Sequence, residues 1–486
     1  MSNHAWILLR SNADLAQLAS EVSVEFDPSK VAQRLTDGLS SAVKAVLIER
    51  NYVDKDYRST FYNYYAKKGQ RYRPDCVRLH FFDSTVTFDS ATLTLRWPGE
   101  RLEDHYFGYM VLRPTGIGTI GRTVLSPDVR AGARGRIITA AHKVHVLGHR
   151  LLIEGFPSMD QHIDISVCAH AACWSILRHY SVRYSVYREY LTHDITRMAH
   201  QFNPGGLVPS KGLDVSHAER VFQEAGTFPM IVTRKNKSDT SFYRQLHAYV
   251  ESGFPLFAAM HGMRHAIAIV GSELSAAPLG RPTRMRNAWD MVKSLVAVDD
   301  NHLPYLSVPT TGVAADYSSD QIDAFIVAFP EKVFYPADAV DRSTNTLSKL
   351  APILGLPSQK KTIGRYFLST GSALRQFMRS RVSEFDPQLL LEIMELPFAQ
   401  YVWIVELSTG DEWAQGQICA RAVLDATASL RDPAPYWLIH SRTRALVFGR
   451  QTVGSPTTGM KVLDLKGMES TAFTRWDQNL RPIQSK

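Results

Sequence analysis

The sequence predicts an α+β protein built from several domains, and three observations support this prediction. The chain has 486 residues, which at about 100–200 residues per domain suggests two to four domains. Segments with apolar residues at helical spacing alternate with short segments rich in β-branched and aromatic residues. Hydrophobic residues make up 45% of the chain and charged residues 21%, which is typical of a globular protein with a sizeable core.

These patterns divide the chain into four predicted parts. In the first part, Asp27 and Pro28 form a typical helix start, and apolar residues then recur at helical spacing, so a helix is predicted over 29–50. The second part consists of short apolar segments separated by Gly, Pro and Asp, which predicts strands. The parts are 1–70 (helical), 71–155 (β-rich), 156–340 (helices and strands, the candidate catalytic domain) and 341–486 (α+β).

Composition excludes several functional classes. No segment reaches the ~18–20 consecutive apolar residues of a membrane span, and the first residues do not resemble a signal peptide. Four cysteines are too few for a disulfide framework, so a reducing, cytoplasmic location is predicted. A net charge of +8 is small for this length and accompanies no recognition module, so nucleic acid is not the predicted partner.

Two patterns that could bind a cofactor or a metal ion have simpler interpretations. Gly116 to Gly121 match the dinucleotide pattern GxGxxG, but the residues that follow do not predict the required helix, so a turn between strands is favoured. His142 and His145 would point to opposite faces of a strand and could not share one ion. No cofactor and no metal ion are therefore predicted.

Cys168 is the candidate nucleophile. Two residues that favour helix caps, Asp164 and Ser166, precede it, and a helix is predicted from Cys168 onward. The free N–H groups and the positive dipole end at a helix N-terminus stabilise a thiolate, which is the reactive form in acyl transfer. The alternative is a buried cysteine that packs as a small apolar residue.

His265 and Asp299 are the candidate base and its orienting group. His265 opens an apolar strand that follows the Gly253-x-Pro255 turn, and the next apolar strand ends at Asp299 and Asp300. A carboxylate there could hold the imidazole in the required tautomer. Strand alternation lets only one aspartate face the histidine; Asp299 is predicted, with Asp300 as the alternative.

Gln161 is the candidate oxyanion donor. It lies seven residues before the nucleophile and could donate to a tetrahedral intermediate beside the backbone N–H of Cys168. The neighbouring His162 is an alternative donor.

The segment from about 156 to 305 resembles the papain-like superfamily, and most closely the bacteriocin-processing cysteine peptidase domains associated with ABC transporters. These domains carry a glutamine, a cysteine that opens a helix, alanines three and four residues later, Gly-x-Pro, a histidine that opens an apolar strand, and a strand ending in aspartate. The matching residues are Gln161, Cys168, Ala171, Ala172, Gly253, Pro255, His265 and Asp299. Two positions depart from the pattern: Ala169 replaces the usual glycine, and Gln161 lies one residue further upstream.

A second alignment with papain-like enzymes is also conceivable. Cys173 and Trp174 resemble the Cys-Trp pair of papain itself. That alignment would put Val167 at the position of the oxyanion glutamine and would bury the nucleophile one turn into the helix. Cys168 is therefore preferred to Cys173.

The resemblance implies a papain-like core, in which a helix packs on an antiparallel sheet, and a Cys-His-Asp triad that needs no cofactor. The predicted function is that of a cysteine peptidase acting on a protein or peptide substrate through a thioester. The same triad could run deamidation, transglutamination or another acyl transfer. A degenerate papain-like binding scaffold with a basic surface is the alternative of a different class. The flanking parts would gate access or recognise the substrate.

Overall fold

A computed structural model describes most of the chain, and the structural statements below concern the described residues. Those ranges are 3–22, 28–115, 119–161, 168–199, 213–275, 285–310, 316–357, 362–432, 435–449, 459–465, 472–477 and 479–484. Several residues discussed above lie outside them, namely Asp27, 116–118 of the glycine motif, the alternative donor His162, the two cap candidates Asp164 and Ser166, and Val167.

The first third of the chain forms a five-stranded antiparallel sheet with the order β1-β2-β3-β6-β7. Its neighbours include the hairpin β9–β10 and three helices. The elements are β1 (His4–Leu8), α1 (Asn12–Val22), α2 (Pro28–Gly38), β2 (Ala45–Tyr52), α3 (Lys55–Asn63), β3 (Cys76–Phe82), β4 (Thr87–Asp89), β5 (Thr94–Arg96), β6 (Tyr106–Leu112), β7 (Ile120–Leu125), β8 (Arg136–Ile137), β9 (Ala140–Val146) and β10 (His149–Gly155).

The predicted helix over 29–50 is wrong in its second half, and the first 70 residues are not purely helical. The helix α2 ends at Gly38, and β2 follows. Val46 and Ile48 pack into one hydrophobic cluster, whereas Ala45 and Leu47 pack into another, as expected for the two faces of a buried strand. Because all four are apolar, their spacing fits a helix as well as a strand, and this ambiguity explains the error.

The central part forms a second antiparallel sheet with the order β11-β17-β12-β13-β15-β16. The short strand β8 also pairs with β13, and β26 (Arg481–Pro482) pairs with β8. In the chain, the helices α4, α5 and α6 come before β11, and α7 lies between β11 and β12. Residues of α4, α5 and α6 share one buried cluster with residues of β12 and β13. The elements are α4 (Cys168–Arg183), α5 (Thr192–Ala199), α6 (Val215–Glu224), β11 (Phe228–Thr233), α7 (Thr240–Glu251), β12 (Leu256–Met260), β13 (His265–Leu274), β14 (Arg286–Asn287), β15 (Val292–Val298), β16 (Leu306–Pro309) and β17 (Ala324–Phe329).

The helix α4 lies on one face of this second sheet. Ala169 and Ala172 belong to the same buried cluster as Ala266 and Ala268 of β13, and these small side chains let the helix approach the strand closely. All residues from Ala169 to Tyr180 are buried, so α4 is a central helix with no solvated face along most of its length. The opposite face of the sheet packs against α7.

The last part forms a third sheet with the order β14-β18-β19-β21-β22-β23-β24, in which only the β14–β18 pair is parallel. The prediction of an α+β fold is confirmed. The elements are α8 (Ala337–Leu354), β18 (Thr362–Thr370), α9 (Gly371–Arg379), α10 (Pro387–Glu395), β19 (Tyr401–Thr409), α11 (Gly410–Ala414), β20 (Gln417–Ile418), β21 (Ala420–Asp425), β22 (Tyr436–Ser441), β23 (Arg444–Phe448), β24 (Met460–Asp464), β25 (Phe473–Thr474) and β26 (Arg481–Pro482).

The second and third sheets share one hydrophobic cluster. Leu246 of α7 and Trp403 of β19 both belong to it, so α7 lies between the two sheets. A buried ion pair crosses the same boundary, since Arg365 Nε donates to Glu251 Oε2 at 2.7 Å. The predicted division between 340 and 341 falls inside α8 (Ala337–Leu354), whose residues pack into this cluster.

Among the helices in the described ranges, none combines the length and the apolar character that crossing a membrane requires.

Candidate active site

Cys168 is the first residue of α4, and its side chain is half-buried at one end of the second sheet. It lines a cleft of about 510 Å³, which we call the thiol cleft. The cleft is lined by Cys168, Ala169, Leu213, Asp214, Val215, His217, Phe257, Ala259, Met260, His261, Arg264, His265 and Ala266. The predicted nucleophile therefore has access to a cavity, unlike most of its helix.

His265 lies in the same cleft because of a four-residue hairpin. Residues 261–264 connect β12 to β13, and Met260 pairs with His265 at the end of the ladder. The rest of β13 is apolar and buried through Gly271, which fixes the strand while leaving its first side chain at the cleft. Strand β13 opens with the histidine, as predicted.

Asp299 is the direct partner of the imidazole. Its Oδ1 lies 2.8 Å from His265 Nε2, whereas Asp300 Oδ1 lies 3.8 Å from the same atom. The backbone N–H of Asn301 also donates to Asp299 Oδ1, at 3.2 Å. Since Nε2 bonds the carboxylate, Nδ1 is the ring atom left for the thiol of Cys168.

Contacts within the site shift the pKa values of His265 and Asp299. Burial alone would lower the pKa of His265, but hydrogen bonds to Asp299 and to the Cys168 thiol raise this pKa to about 10. Burial would raise the pKa of Asp299, but the bond to His265 lowers it to about 2. Near pH 7 the imidazole is therefore a cation that faces an ionised carboxylate on one side and a thiol on the other.

Asp300 differs from its neighbour. Burial, together with the adjacent Asp299, raises the pKa of Asp300 to about 8, so this carboxyl holds a proton at neutral pH. Ionising two adjacent buried carboxyl groups costs a large electrostatic free energy, because the two negative charges repel each other. Of the two candidates that the sequence left open, Asp299 is the one that is ionised and bonded to His265.

Tyr317 was not predicted as part of this site. Its ring stacks on the imidazole of His265, with 5.3 Å between centroids and 26° between planes. The tyrosine is itself buried, so it limits the access of water to one face of the imidazole. It lies 52 residues from the histidine with no motif around it, and only the folded chain brings the two together.

The other three cysteines are poor nucleophile candidates. Burial raises the pKa of Cys173 far above its ordinary value, and the same cause raises the pKa of Cys76. Burial also raises the pKa of Cys419, to about 12. Cys173 has no exposed surface, which argues against the alignment that would make it the nucleophile.

Gln161 is described in the loop after β10 and is half-buried. It is not one of the described residues that line the thiol cleft. Its neighbour Asp160 is fixed by an ion pair with Arg34 and by a bond from Arg113 to its backbone oxygen. The oxyanion role of Gln161 stays a prediction.

The same cluster contains a possible set of metal ligands. One ligand atom each from His265, Asp299 and Asp300 lie within 4.8 Å of one another. An imidazole and two carboxylates are ligands that divalent cations accept. A cation there would have to displace the proton that His265 Nε2 shares with Asp299.

An aspartate of α3 holds α4, the helix that begins at Cys168, in position. Asp56 Oδ1 accepts hydrogen bonds from Trp174 Nε1 at 2.9 Å and from Arg178 Nη2 at 2.8 Å. All three side chains are buried. Because Trp174 and Arg178 lie on α4, the first sheet's region is connected directly to the helix that carries Cys168.

No family model matches this sequence, and searches of curated proteins and of solved structures also found no match. The resemblance to papain-like peptidases therefore stays a prediction that rests on motifs.

We expect the stabilising effect of the His265–Asp299 pair to depend on pH. Because the pKa of His265 rises from 6.5 to about 10, its contribution to stability is complete below pH ~6.5 and lost as pH rises through about 10. The pKa of Asp299 falls from 3.8 to about 2, so its contribution is present above pH ~3.8 and lost as pH falls through about 2.

Urea unfolding of the protein and of His265→Gln measures this effect. The free energies of unfolding should differ by about 1–3 kcal/mol at pH 6, and the difference should shrink toward pH 10. A difference that stays constant between pH 6 and pH 10 would contradict the charged pair.

Proposed function

We propose that the protein is a cysteine hydrolase that cleaves amide bonds of a protein or peptide substrate. The observation that carries this proposal is the continuous arrangement of a half-buried thiol, an imidazole bonded to it, and an ionised carboxylate 2.8 Å behind the imidazole. These are the parts of a nucleophile, a proton carrier and an orienting group. The packing of the Cys168 helix on an antiparallel sheet also agrees with the papain-like architecture that the motifs suggest.

The proposed reaction proceeds in two stages. The thiolate of Cys168 attacks the amide carbonyl carbon, and the imidazolium of His265 gives its proton to the leaving amine as the C–N bond breaks. The resulting thioester is then attacked by water, whose proton passes to His265, and the C–S bond breaks to release the acid. Asp299 keeps the ring oriented and stabilises its charged form throughout.

The shape of the thiol cleft supports a peptide substrate. A cleft of about 510 Å³ lies within the size range of small-ligand sites and can hold one or two side chains. Leu213, Phe257 and Met260 give it an apolar wall next to the thiol. We further propose a cytoplasmic location, because all four cysteines are free thiols. In this proposal the flanking parts of the chain gate the cleft or recognise the substrate.

Three rival functions make different predictions. A deamidase or transglutaminase would use the same thioester but a different acceptor or substrate. A degenerate scaffold would carry out no reaction. A metal site at His265, Asp299 and Asp300 would make any activity sensitive to chelators, and the proximity of their ligand atoms is the observation in its favour.

Mass spectrometry of casein incubated with the protein separates these functions. We expect peptide cleavage that Cys168→Ala abolishes, that the matched variant Cys173→Ala retains, and that EDTA does not change. A mass gain of about 1 Da without cleavage would indicate deamidation, and crosslinked chains would indicate transglutamination. Identical results for the protein and Cys168→Ala would contradict the proposed role of the thiol.

A further inference from the structure

We propose that Arg264 is a specificity-determining residue that binds a carboxylate of the substrate inside the thiol cleft. This inference rests on the proposed function of Cys168 and adds a substrate class to it. Arg264 immediately precedes His265 and lines the same cavity as the thiol. A guanidinium group is the side chain best suited to binding a carboxylate, because it can donate two parallel hydrogen bonds.

The turn between β12 and β13 requires a left-handed residue at position 264, and arginine is not the residue type that this conformation favours. The φ of 52° and ψ of 41° of Arg264 lie in the left-handed region, where this residue ends the short turn His261–Met263. Glycine adopts this conformation readily, whereas a residue with a Cβ does so at a cost. Four other described residues that are not glycine also have a positive φ, so the conformation alone assigns no function and the proposal rests on the place of Arg264 in the cleft.

The turn that carries Arg264 is fixed by Asp323, the residue immediately before β17. The backbone N–H of His261 donates to Asp323 Oδ2 at 2.8 Å, and Arg234 Nη2 donates to Asp323 Oδ1 at 2.9 Å. The N–H of Arg264 closes the turn by donating to the carbonyl of His261 at 3.0 Å. Arg264 is thus presented on a fixed hairpin and not on a loose loop.

The charge of Arg264 is the unbalanced one in the cleft. His265 pairs with Asp299, His261 Nδ1 lies 3.6 Å from Asp323 Oδ2, and Asp214 Oδ1 lies 2.9 Å from His217 Nδ1. Among the described residues, Arg264 has an exposed side chain and makes no ion pair or side-chain hydrogen bond. An anionic group of the substrate would complete this set of charges.

Alkylation of Cys168 by iodoacetate and by iodoacetamide tests the proposal on the full-length protein, without knowledge of the natural substrate. The two reagents differ by a carboxylate, and the ratio of their rate constants at pH 7 reports the cation in the cleft. We expect Arg264→Asn to lower this ratio by roughly two- to fivefold, as Coulomb attraction across a solvated cleft implies. Asparagine is suitable because it tolerates the left-handed backbone.

Two further variants and a salt series complete the design. Arg264→Lys should retain most of the preference for iodoacetate over iodoacetamide, because lysine keeps the positive charge. Arg96→Asn, which replaces an exposed arginine of β5, should leave the ratio of the two rate constants unchanged. The difference between the protein and Arg264→Asn should shrink at 0.5 M NaCl. An unchanged ratio in Arg264→Asn, with fast alkylation by both reagents, would overturn the role of Arg264 alone. Slow alkylation by both reagents in the unsubstituted protein would overturn the hydrolase proposal, and this inference with it.

Competing peptides identify the source of the carboxylate. One pair of hexapeptide amides, otherwise uncharged, differs only by Glu or Gln at a central position, and a second pair differs only by a free or an amidated C-terminus. Stronger protection of Cys168 from iodoacetamide by the Glu peptide would assign a side-chain carboxylate, and stronger protection by the free acid would assign a C-terminal one. Equal protection by all four peptides would contradict the proposal.

Discussion

Replacing His265 by alanine should lower the rate of casein cleavage by about 10²–10⁴-fold, the usual contribution of a positioned acid–base group. In the proposed reaction this variant lacks the group that gives the proton to the leaving amine, and it also lacks the cation that faces the sulfur of Cys168. The unfolding free energy should fall by about 1–3 kcal/mol, as for His265→Gln, whereas the activation free energy of cleavage should rise by about 3–5 kcal/mol. Initial cleavage rates and urea unfolding, measured on the same preparation, check both parts.

A matched control for this variant is His105→Ala. His105 Nδ1 lies 2.8 Å from Asp83 Oδ2, so it forms a similar histidine–aspartate pair, but that pair lies away from the thiol cleft. The control should keep nearly full activity. If both variants lose the same fraction of activity, the effect would come from general destabilisation and the catalytic role of His265 would be contradicted.

Replacing Asp56 by alanine should destabilise the protein by about 3 kcal/mol, because it removes both hydrogen bonds that the buried Arg178 Nη2 donates to this carboxylate. Glu189 and the carbonyl of Tyr190 remain as partners of the guanidinium. The indole N–H of Trp174 would also lose its acceptor. Both affected residues belong to α4, so the loss acts on the helix that begins at Cys168. The midpoint of urea unfolding measures the change.

The control for Asp56→Ala is Asp75→Ala. Asp75 also pairs with an arginine, Arg58, but both side chains are about one quarter to one third exposed, at 31% and 25%. A partly exposed ion pair contributes no more than about 1 kcal/mol to the free energy of unfolding. The urea midpoint of this control should therefore stay close to that of the unsubstituted protein. Equal destabilisation by the two substitutions would show that burial of the Asp56 pair has no special effect.

The parts of the site that could be predicted are those with local sequence signals. The helix from Cys168 onward follows from the small and apolar residues after this cysteine, and the strand that opens at His265 follows from a continuous apolar run. Asp299 follows β15, as a polar residue that ends an apolar strand should. These signals depend on neighbouring residues only, and they predict the elements on which the candidate residues lie.

The parts that could not be predicted depend on contacts between distant residues. Asp56 and Arg178 are 122 positions apart, and neither belongs to a recognisable pattern. The strand β2 was predicted as a helix because its apolar residues are buried on both faces. The left-handed backbone at Arg264 has no signal either, since glycine is the residue that usually marks such a position.

Alkylation of the four cysteines by iodoacetamide at pH 6, followed by mass spectrometry of each cysteine-containing peptide, tests the central claim most directly. Glutathione in the same solution serves as the reference for an ordinary, fully accessible thiol. If Cys168 is held as a thiolate beside the His265 cation, it should react about tenfold or more faster than glutathione, while Cys76, Cys173 and Cys419 stay largely unmodified. Substitution of His265 by alanine should remove this advantage. A Cys168 that reacts no faster than glutathione would contradict the assignment of this thiol as a catalytic nucleophile.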